Sequence, residues 1–266
     1  MPNNAILGQF VWYELNSTDP SAAKRFYTEV MGWDTEEMQG GPMPYTIWKK
    51  DGRQIGGLME LPKEARDRGA PPHWMPYIGT PDTDATAKQA TKLGGQTVVP
   101  PMDIPNIGRF AMLKDPQGAA FSIFTPSQGP ERPQGNPLVG DFSWHELLTT
   151  DYEGAFKFYS TLFGWVKTSE FEMGEAGTYL MFGPNKDTMI GGMFNKTPDM
   201  PFPPNWTLYV RVPSLKKAVE TARKLGGNVM IEEMEVPGGD LIGQTMDPQG
   251  AVIALHESRQ PAAVTR

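Results

Sequence analysis

Two short stretches of this chain gather side chains able to do chemistry: WYELNSTD at residues 12–19 and WHELLTTD at residues 144–151. Each sets an indole two residues before a carboxylate, Trp12 with Glu14 and Trp144 with Glu146, a spacing that places both on one face of an extended strand. A carboxylate among aromatic walls is a candidate general base, because burial favours its neutral form and moves its proton affinity toward working pH. The second stretch adds His145, which opens three readings: a metal-binding strand, a metal-free pocket, or a packed core strand. His145 stands where the first stretch has Tyr13, so it is expected to be a packed, hydrogen-bonded core residue. Downstream, Arg211 offers a clamp for a carboxylate or phosphate, and His256 a further polar handle.

The elements that position these residues are read from an internal repeat. Residues 8–33 and 140–165 are identical at 12 of 26 positions at an offset of 132. KLGG at Lys92 recurs at Lys224, and DPQGA at Asp115 recurs at Asp247, at the same offset. Two tandem modules of one fold are therefore expected, residues 1–126 and 139–266, joined by a Pro/Gly-rich linker over 127–138. Each module is itself weakly doubled. A strand pattern leads into a helix capped by Asp19, with Pro20 in the first turn and Gly32 at the end. The order returns about 63 residues later, with MPYIGT and then a helix opened by Asp82. The inferred unit is a strand, a helix and three strands, four times over, which is an α+β class with curved mixed sheets. KLGG ends helices at Gly94 and Gly226, DPQG closes hairpins at Gly118 and Gly250, and IGG at Ile55 and Ile190 lets backbones approach or bends a strand.

Composition narrows the functional classes. The 266 residues include no cysteine, which removes thiolate nucleophiles, cysteine zinc sites, iron–sulfur clusters and disulfides. A net charge of −7 argues against nucleic acid as a partner. No apolar run reaches the roughly 20 residues of a membrane helix, and MPNNAILGQF lacks the pattern of a signal peptide, so a cytoplasmic location without membrane contact is expected.

The strand, Asp-capped helix, FY pair and terminal GW of residues 10–33, with the closing DPQGAAFSIF and DPQGAVIALH, resemble the vicinal oxygen chelate proteins. This superfamily comprises glyoxalase I, bleomycin-resistance proteins and extradiol dioxygenases. The resemblance spans nearly the whole chain, twice, and is nearest to two-module glyoxalase-related proteins. It implies that paired βαβββ units form an eight-stranded sheet whose concave face is a cup for a ligand. It also implies metal ligands seven residues before each helix cap and on each last strand. Those places hold Trp12, Trp144, Met75, Thr207, Ser122 and Ala254, none a credible ligand of a hard metal. No cofactor is expected on that count. A divalent metal held by Glu146 and His256 is the disfavoured alternative, since two protein ligands are too few for an ordinary zinc site.

By the resemblance and the apolar alternation, Leu208, Val210 and Val212 pack under a helix, as do Ile253 and Leu255. The first cup then receives Trp12, Glu14 and Tyr77, and the second Trp144, Glu146, Thr207, Tyr209, Arg211 and His256. Glu146 and Arg211 either act on a ligand or neutralise one another. Two functions remain open. One is a metal-free, glyoxalase-related enzyme, lyase-, isomerase- or oxygenase-like, acting on a small oxygenated molecule with Glu146 or Glu14 as acid or base. The alternative is a non-catalytic protein that binds and sequesters a drug or metabolite, as bleomycin-resistance members do. A small-molecule ligand is the expected partner, and the chain itself a monomer or homodimer.

Overall fold

The computed structural model describes residues 6–39, 43–128 and 136–259. The first half runs β1 (Phe10–Ser17), α1 (Pro20–Met31), β2 (Asp34–Glu37), β3 (Tyr45–Lys50), β4 (Arg53–Glu60) and a short α2 (Lys63–Asp67). It continues with β5 (His73–Gly79), α3 (Thr83–Lys92), β6 (Gln96–Ile104), β7 (Gly108–Lys114) and β8 (Ala120–Pro126). The second half repeats this as β9 (Phe142–Thr149), α4 (Tyr152–Phe163), β10 (Val166–Glu172), β11 (Thr178–Gly183) and β12 (Gly191–Asn195). Then come β13 (Asn205–Arg211), α5 (Leu215–Lys224), β14 (Asn228–Glu235), β15 (Leu241–Met246) and β16 (Val252–Glu257). The βαβββ order is thus present four times, with α2 as an addition. Most of the linker expected over 127–138 lies outside the described residues.

The strands form two eight-stranded mixed sheets, in the orders β2-β3-β4-β1-β5-β8-β7-β6 and β10-β11-β12-β9-β13-β16-β15-β14. Within each βαβββ unit the first and last strands are parallel, β1 with β4, β5 with β8, β9 with β12 and β13 with β16, and the hairpins are antiparallel. The helix starts follow from local chemistry. The carboxylates of Asp19, Asp82 and Asp151 accept from the backbone N–H groups of Ala22, Ala85 and Gly154, and the Ser214 hydroxyl from that of Lys217. Gly32 and Gly164 end α1 and α4 in the left-handed conformation that a side chain would resist.

The residues group into two compact units, and each draws on both halves of the sequence. One comprises Met1–Tyr13, Met75–Gln134 and Trp144–Thr207; the other comprises Glu14–Trp74, Gly135–Ser143 and Leu208–Arg266. In the second, α1 packs with α5 and Tyr27 is buried. The indole N–H of Trp74 donates to Tyr27 Oη at 2.9 Å, and Tyr27 Oη donates to Asp247 Oδ2 at 3.0 Å. The first unit contains the same chain with every number shifted by 132: Trp206 donates to Tyr159 at 3.1 Å, and Tyr159 to Asp115 at 3.1 Å. The other oxygen of each Asp receives backbone N–H groups of its own turn, those of Gln117 and Ala119, and of Gln249, Gly250 and Ala251. Burial pushes the carboxyls of Asp115 and Asp247 above the usual range despite these donors. Burial, and then the charge of the facing Asp, hold Tyr27 and Tyr159 as neutral phenols. Two further indoles repeat the pattern, Trp33 donating to the Gly140 carbonyl and Trp165 to that of Gly8, each at 2.8 Å.

Candidate ligand-binding site

Both glutamates singled out by the sequence are held by a tyrosine that lies over a glycine. Glu146 on β9 stands opposite Gly192 on β12, and Glu14 on β1 opposite Gly57 on β4. Tyr179, from β11, crosses the bare backbone of Gly192 and donates its hydroxyl to Glu146 Oε2 at 2.9 Å. Tyr45, from β3, crosses Gly57 and donates to Glu14 Oε2 at 3.1 Å. A Cβ on Gly192 would sit 2.1 Å from the Tyr179 ring, and one on Gly57 1.9 Å from Tyr45 Oη. The IGG stretches therefore have a definite task, since their second glycine leaves room for the ring that reaches the carboxylate.

In the second half the dyad is the end of a longer chain. The Trp144 indole N–H donates to Tyr179 Oη at 2.8 Å, so indole, phenol and carboxylate form one directed chain. Tyr179 is itself stacked between Phe171 and Phe194, with centroids 5.2 and 5.7 Å away and planes tilted by about 25°. Trp144, Glu146, Phe171 and Phe194 are half-buried, while Tyr179 is buried. The half-buried rings and the carboxylate together make a partly open aromatic surface with one acidic handle.

A second polar group lies on β13 and β16. Arg211 and His256 are opposite one another, one row beyond Val210 and Leu255. Gly243, which also pairs with Leu255, would direct a Cβ to within 3.0 Å of Leu215 at the start of α5. That row faces the helix, and Arg211 and His256 face the other side. His256 Nδ1 meets Ser143 Oγ at 2.9 Å and Nε2 meets Asp240 Oδ2 at 2.9 Å. The Arg211 guanidinium donates to the Pro137 carbonyl at 2.7 Å. Burial would raise the Asp240 carboxyl, but hydrogen bonds from His256 and the Arg259 backbone bring it below the ordinary value.

The remaining candidate residues divide by burial. Trp12 and Thr207 are half-buried, and the Thr207 hydroxyl bonds to Asn205 at 3.3 Å. Tyr77 and Tyr209 are buried at 7% and 3% exposure, Tyr77 beside Phe110 and Phe124. His145 is a buried residue stacked on Phe10 at 3.5 Å; its Nδ1 bonds to the Ile190 carbonyl and its Nε2 to the hydroxyl of Tyr13. Both ring nitrogens serve packing, and the pair it forms with Tyr13 joins equivalent positions of the two repeats. An open groove of about 640 Å³ lies on the helical side, between Lys24, Arg25 and Thr28 of α1 and Thr221 and Lys224 of α5. It contains none of the expected ligand-binding side chains.

The places where a metal would be gripped do not suit one. Trp12, Trp144, Met75 and Ala254 bring no hard donor, and Ser122 is 1% exposed. Among the described residues no group of three or more His, Cys, Asp or Glu side chains is placed to hold an ion. No helix of the described residues is long and apolar enough to cross a membrane.

Fourfold βαβββ units in two eight-stranded mixed sheets define a glyoxalase-like protein. The chain belongs to the Glyoxalase/Bleomycin resistance protein/Dioxygenase superfamily, whose sequence model matches residues 9–123 and 142–255. It is 33% identical over 251 residues to "Putative glyoxylase CFP32" of Mycobacterium tuberculosis, covering 92% of each chain. It is 29% identical over 269 residues to "Anthracycline biosynthesis protein DauV" of a Streptomyces species, covering 96% of each. Among solved structures, the Mn(II)-bound glyoxalase from Novosphingobium aromaticivorans shares its fold with a TM-score of 0.65 at 14% identity, over 96% of this chain and 83% of that one. The 2,2',3-trihydroxybiphenyl 1,2-dioxygenase of Sphingomonas wittichii does so with a TM-score of 0.67 at 14% identity, over 95% and 91%.

Proposed function

We propose that this protein binds a small, planar, oxygenated organic molecule and acts on it with Glu146 as acid or base, without a step through a metal. The observation that carries this reading is the chain from Trp144 N–H through Tyr179 O–H to the Glu146 carboxylate. The carboxylate accepts a proton from an acidic O–H or activated C–H of the ligand. Tyr179 holds Oε2 in place, and the indole N–H on Oη favours negative character at the phenol oxygen as charge shifts along the chain. The half-buried rings of Trp144, Phe171 and Phe194 supply flat apolar surface beside that handle. The relative named for anthracycline biosynthesis points the same way, because an anthracycline is a fused-ring aromatic rich in oxygen. Glu14 and Tyr45 repeat the carboxylate–phenol pair, which makes Glu14 the second candidate base.

The same surface also suits sequestration without turnover, a reading favoured by the lack of hard donors at the metal positions. One experiment separates these. Tryptophan fluorescence is titrated with a hydroxyanthraquinone for the wild type and for Glu146→Gln and Tyr179→Phe, and the ligand is analysed for chemical change. Saturable quenching with turnover lost in Glu146→Gln supports the enzyme, and quenching with an unchanged ligand supports sequestration. Absence of saturable quenching by the folded wild type refutes both.

A further inference from the structure

We propose that Ser143, His256 and Asp240 form a nucleophile relay in which Ser143 Oγ attacks activated acyl esters, a site separate from the Glu146–Tyr179–Trp144 chain. The three groups lie in one compact unit and form a single hydrogen-bonded line, Ser143 Oγ to His256 Nδ1 at 2.9 Å and His256 Nε2 to Asp240 Oδ2 at 2.9 Å. An ionised carboxylate only accepts, so Nε2 carries the ring hydrogen and Nδ1 presents its lone pair to the serine hydroxyl. The hydroxyl also lies 3.3 Å from the Tyr209 carbonyl, and the imidazole is the nearer of the two. Asp240 is fixed in turn, its Oδ1 accepting from the Arg259 backbone N–H at 2.8 Å. The relay has the parts a serine nucleophile needs: a base on the hydroxyl and a carboxylate that sets the base's tautomer and stabilises the imidazolium as it forms. The ring is turned so that Nδ1 faces the serine and Nε2 the carboxylate, which leaves the proton path unchanged. Arg211 stands opposite His256 on the neighbouring strand.

The step balances without an oxidant or metal. Ser143 Oγ bonds to the acyl carbon while its proton passes to His256 Nδ1. The C–O bond to the alcohol breaks and the alcohol leaves with that proton. Water then attacks the acyl-serine, giving up a proton to His256, and the carboxylic acid departs as Oγ recovers a proton.

The test treats the full-length protein with a fluorophosphonate probe, maps adducts by peptide mass, and follows p-nitrophenyl acetate release. An adduct on Ser143 is expected, absent in Ser143→Ala. Labelling should fall at least about tenfold in His256→Gln and in Asp240→Asn, whose amide no longer enforces the tautomer. Near-ultraviolet circular dichroism confirms that each variant is folded. No adduct on Ser143 in the folded wild type, under conditions that label a known serine esterase, overturns the proposal. So does labelling that proceeds equally in folded His256→Gln.

Discussion

Replacing Gly192 by alanine puts a methyl carbon 2.1 Å from Tyr179 Cε1, 2.3 Å from Cζ and 2.4 Å from Oη. All three nearest atoms belong to that one ring, which must retreat by about 1.3 Å to reach the 3.4 Å of ordinary contact. It cannot swing freely, because Phe171 and Phe194 are stacked on its two sides. The displacement breaks the hydrogen bonds to Glu146 and from Trp144. A bond to a carboxylate contributes about 1.5–3 kcal/mol and a neutral one about 1 kcal/mol; with Glu146 half-buried the lower values apply, giving about 2–3 kcal/mol for Gly192→Ala. The same substitution in a Tyr179→Ala background meets no ring. Gly192 has no left-handed φ, so alanine there should stabilise the strand by roughly 0.5–1 kcal/mol. The sign of the substitution therefore inverts with the background, and a double-mutant cycle by denaturant unfolding should return a coupling of about 3 kcal/mol. Equal effects of Gly192→Ala in the two backgrounds would refute the claim that this glycine exists to admit the tyrosine.

Other expectations follow from the buried chains. Tyr27→Phe leaves the Trp74 N–H and one oxygen of Asp247 without their partner, and Tyr159→Phe does the same to Trp206 and Asp115. Each should cost about 2–4 kcal/mol, and urea unfolding should find the two within about 1 kcal/mol of each other, since the partners are the same. Asp115 and Asp247 have folded proton affinities raised above the unfolded value, so the folded state holds the extra protons. Their contribution to stability is complete below the usual Asp range near pH 3.8 and is lost as pH rises through the raised values. Asp115→Asn with Asp247→Asn should flatten stability against pH above the ordinary Asp value of 3.8, and an unchanged slope in thermal melts on that side counts against the assignment. His145→Phe, which deletes the bonds to Tyr13 and the Ile190 carbonyl, should cost about 1–3 kcal/mol in the same unfolding assay while leaving hydroxyanthraquinone binding intact.

The fold was legible because its determinants are local or repeated. An Asp before a helical pattern caps it wherever it stands, and the 132-residue offset carried the element order from one half to the other. His145 was legible too, as apolar alternation places it with Leu147 on the packed side. What alternation cannot report is whether a second layer covers the other face. The candidate residues therefore mix half-buried side chains such as Trp144 and Arg211 with the buried Tyr77 and Tyr209. Tyr45 and Tyr179 escaped sequence reasoning because they reach the glutamates across an intervening strand, β4 and β12 respectively. Their spacing in the chain is 134 rather than 132, so the repeat does not align them. The trace they leave in the sequence is the second glycine of each IGG, a missing side chain that the structure places in register with each glutamate. The Asp of DPQG serves its own turn through one oxygen only; the partner of the other oxygen is 220 residues away for Asp247.

The two halves differ in an informative way once they are superposed by that offset. The Trp–Tyr–Asp chains and the Trp33 and Trp165 bonds match residue for residue, as they must if loss of one member strands two buried polar groups. The strand faces match only in part, since Trp12 and Glu14 recur as Trp144 and Glu146 while other positions differ. Where the second half has Arg211 and His256, the first has Gly79 and Phe124. Buried hydrogen-bond chains constrain their members jointly, so a change at one position is unfavourable without a matching change elsewhere. Half-exposed positions carry no such coupling, and there the copies are free to differ. Arg211 and His256 therefore lie outside what the two repeats share, and replacing either should leave both buried Trp–Tyr–Asp chains intact.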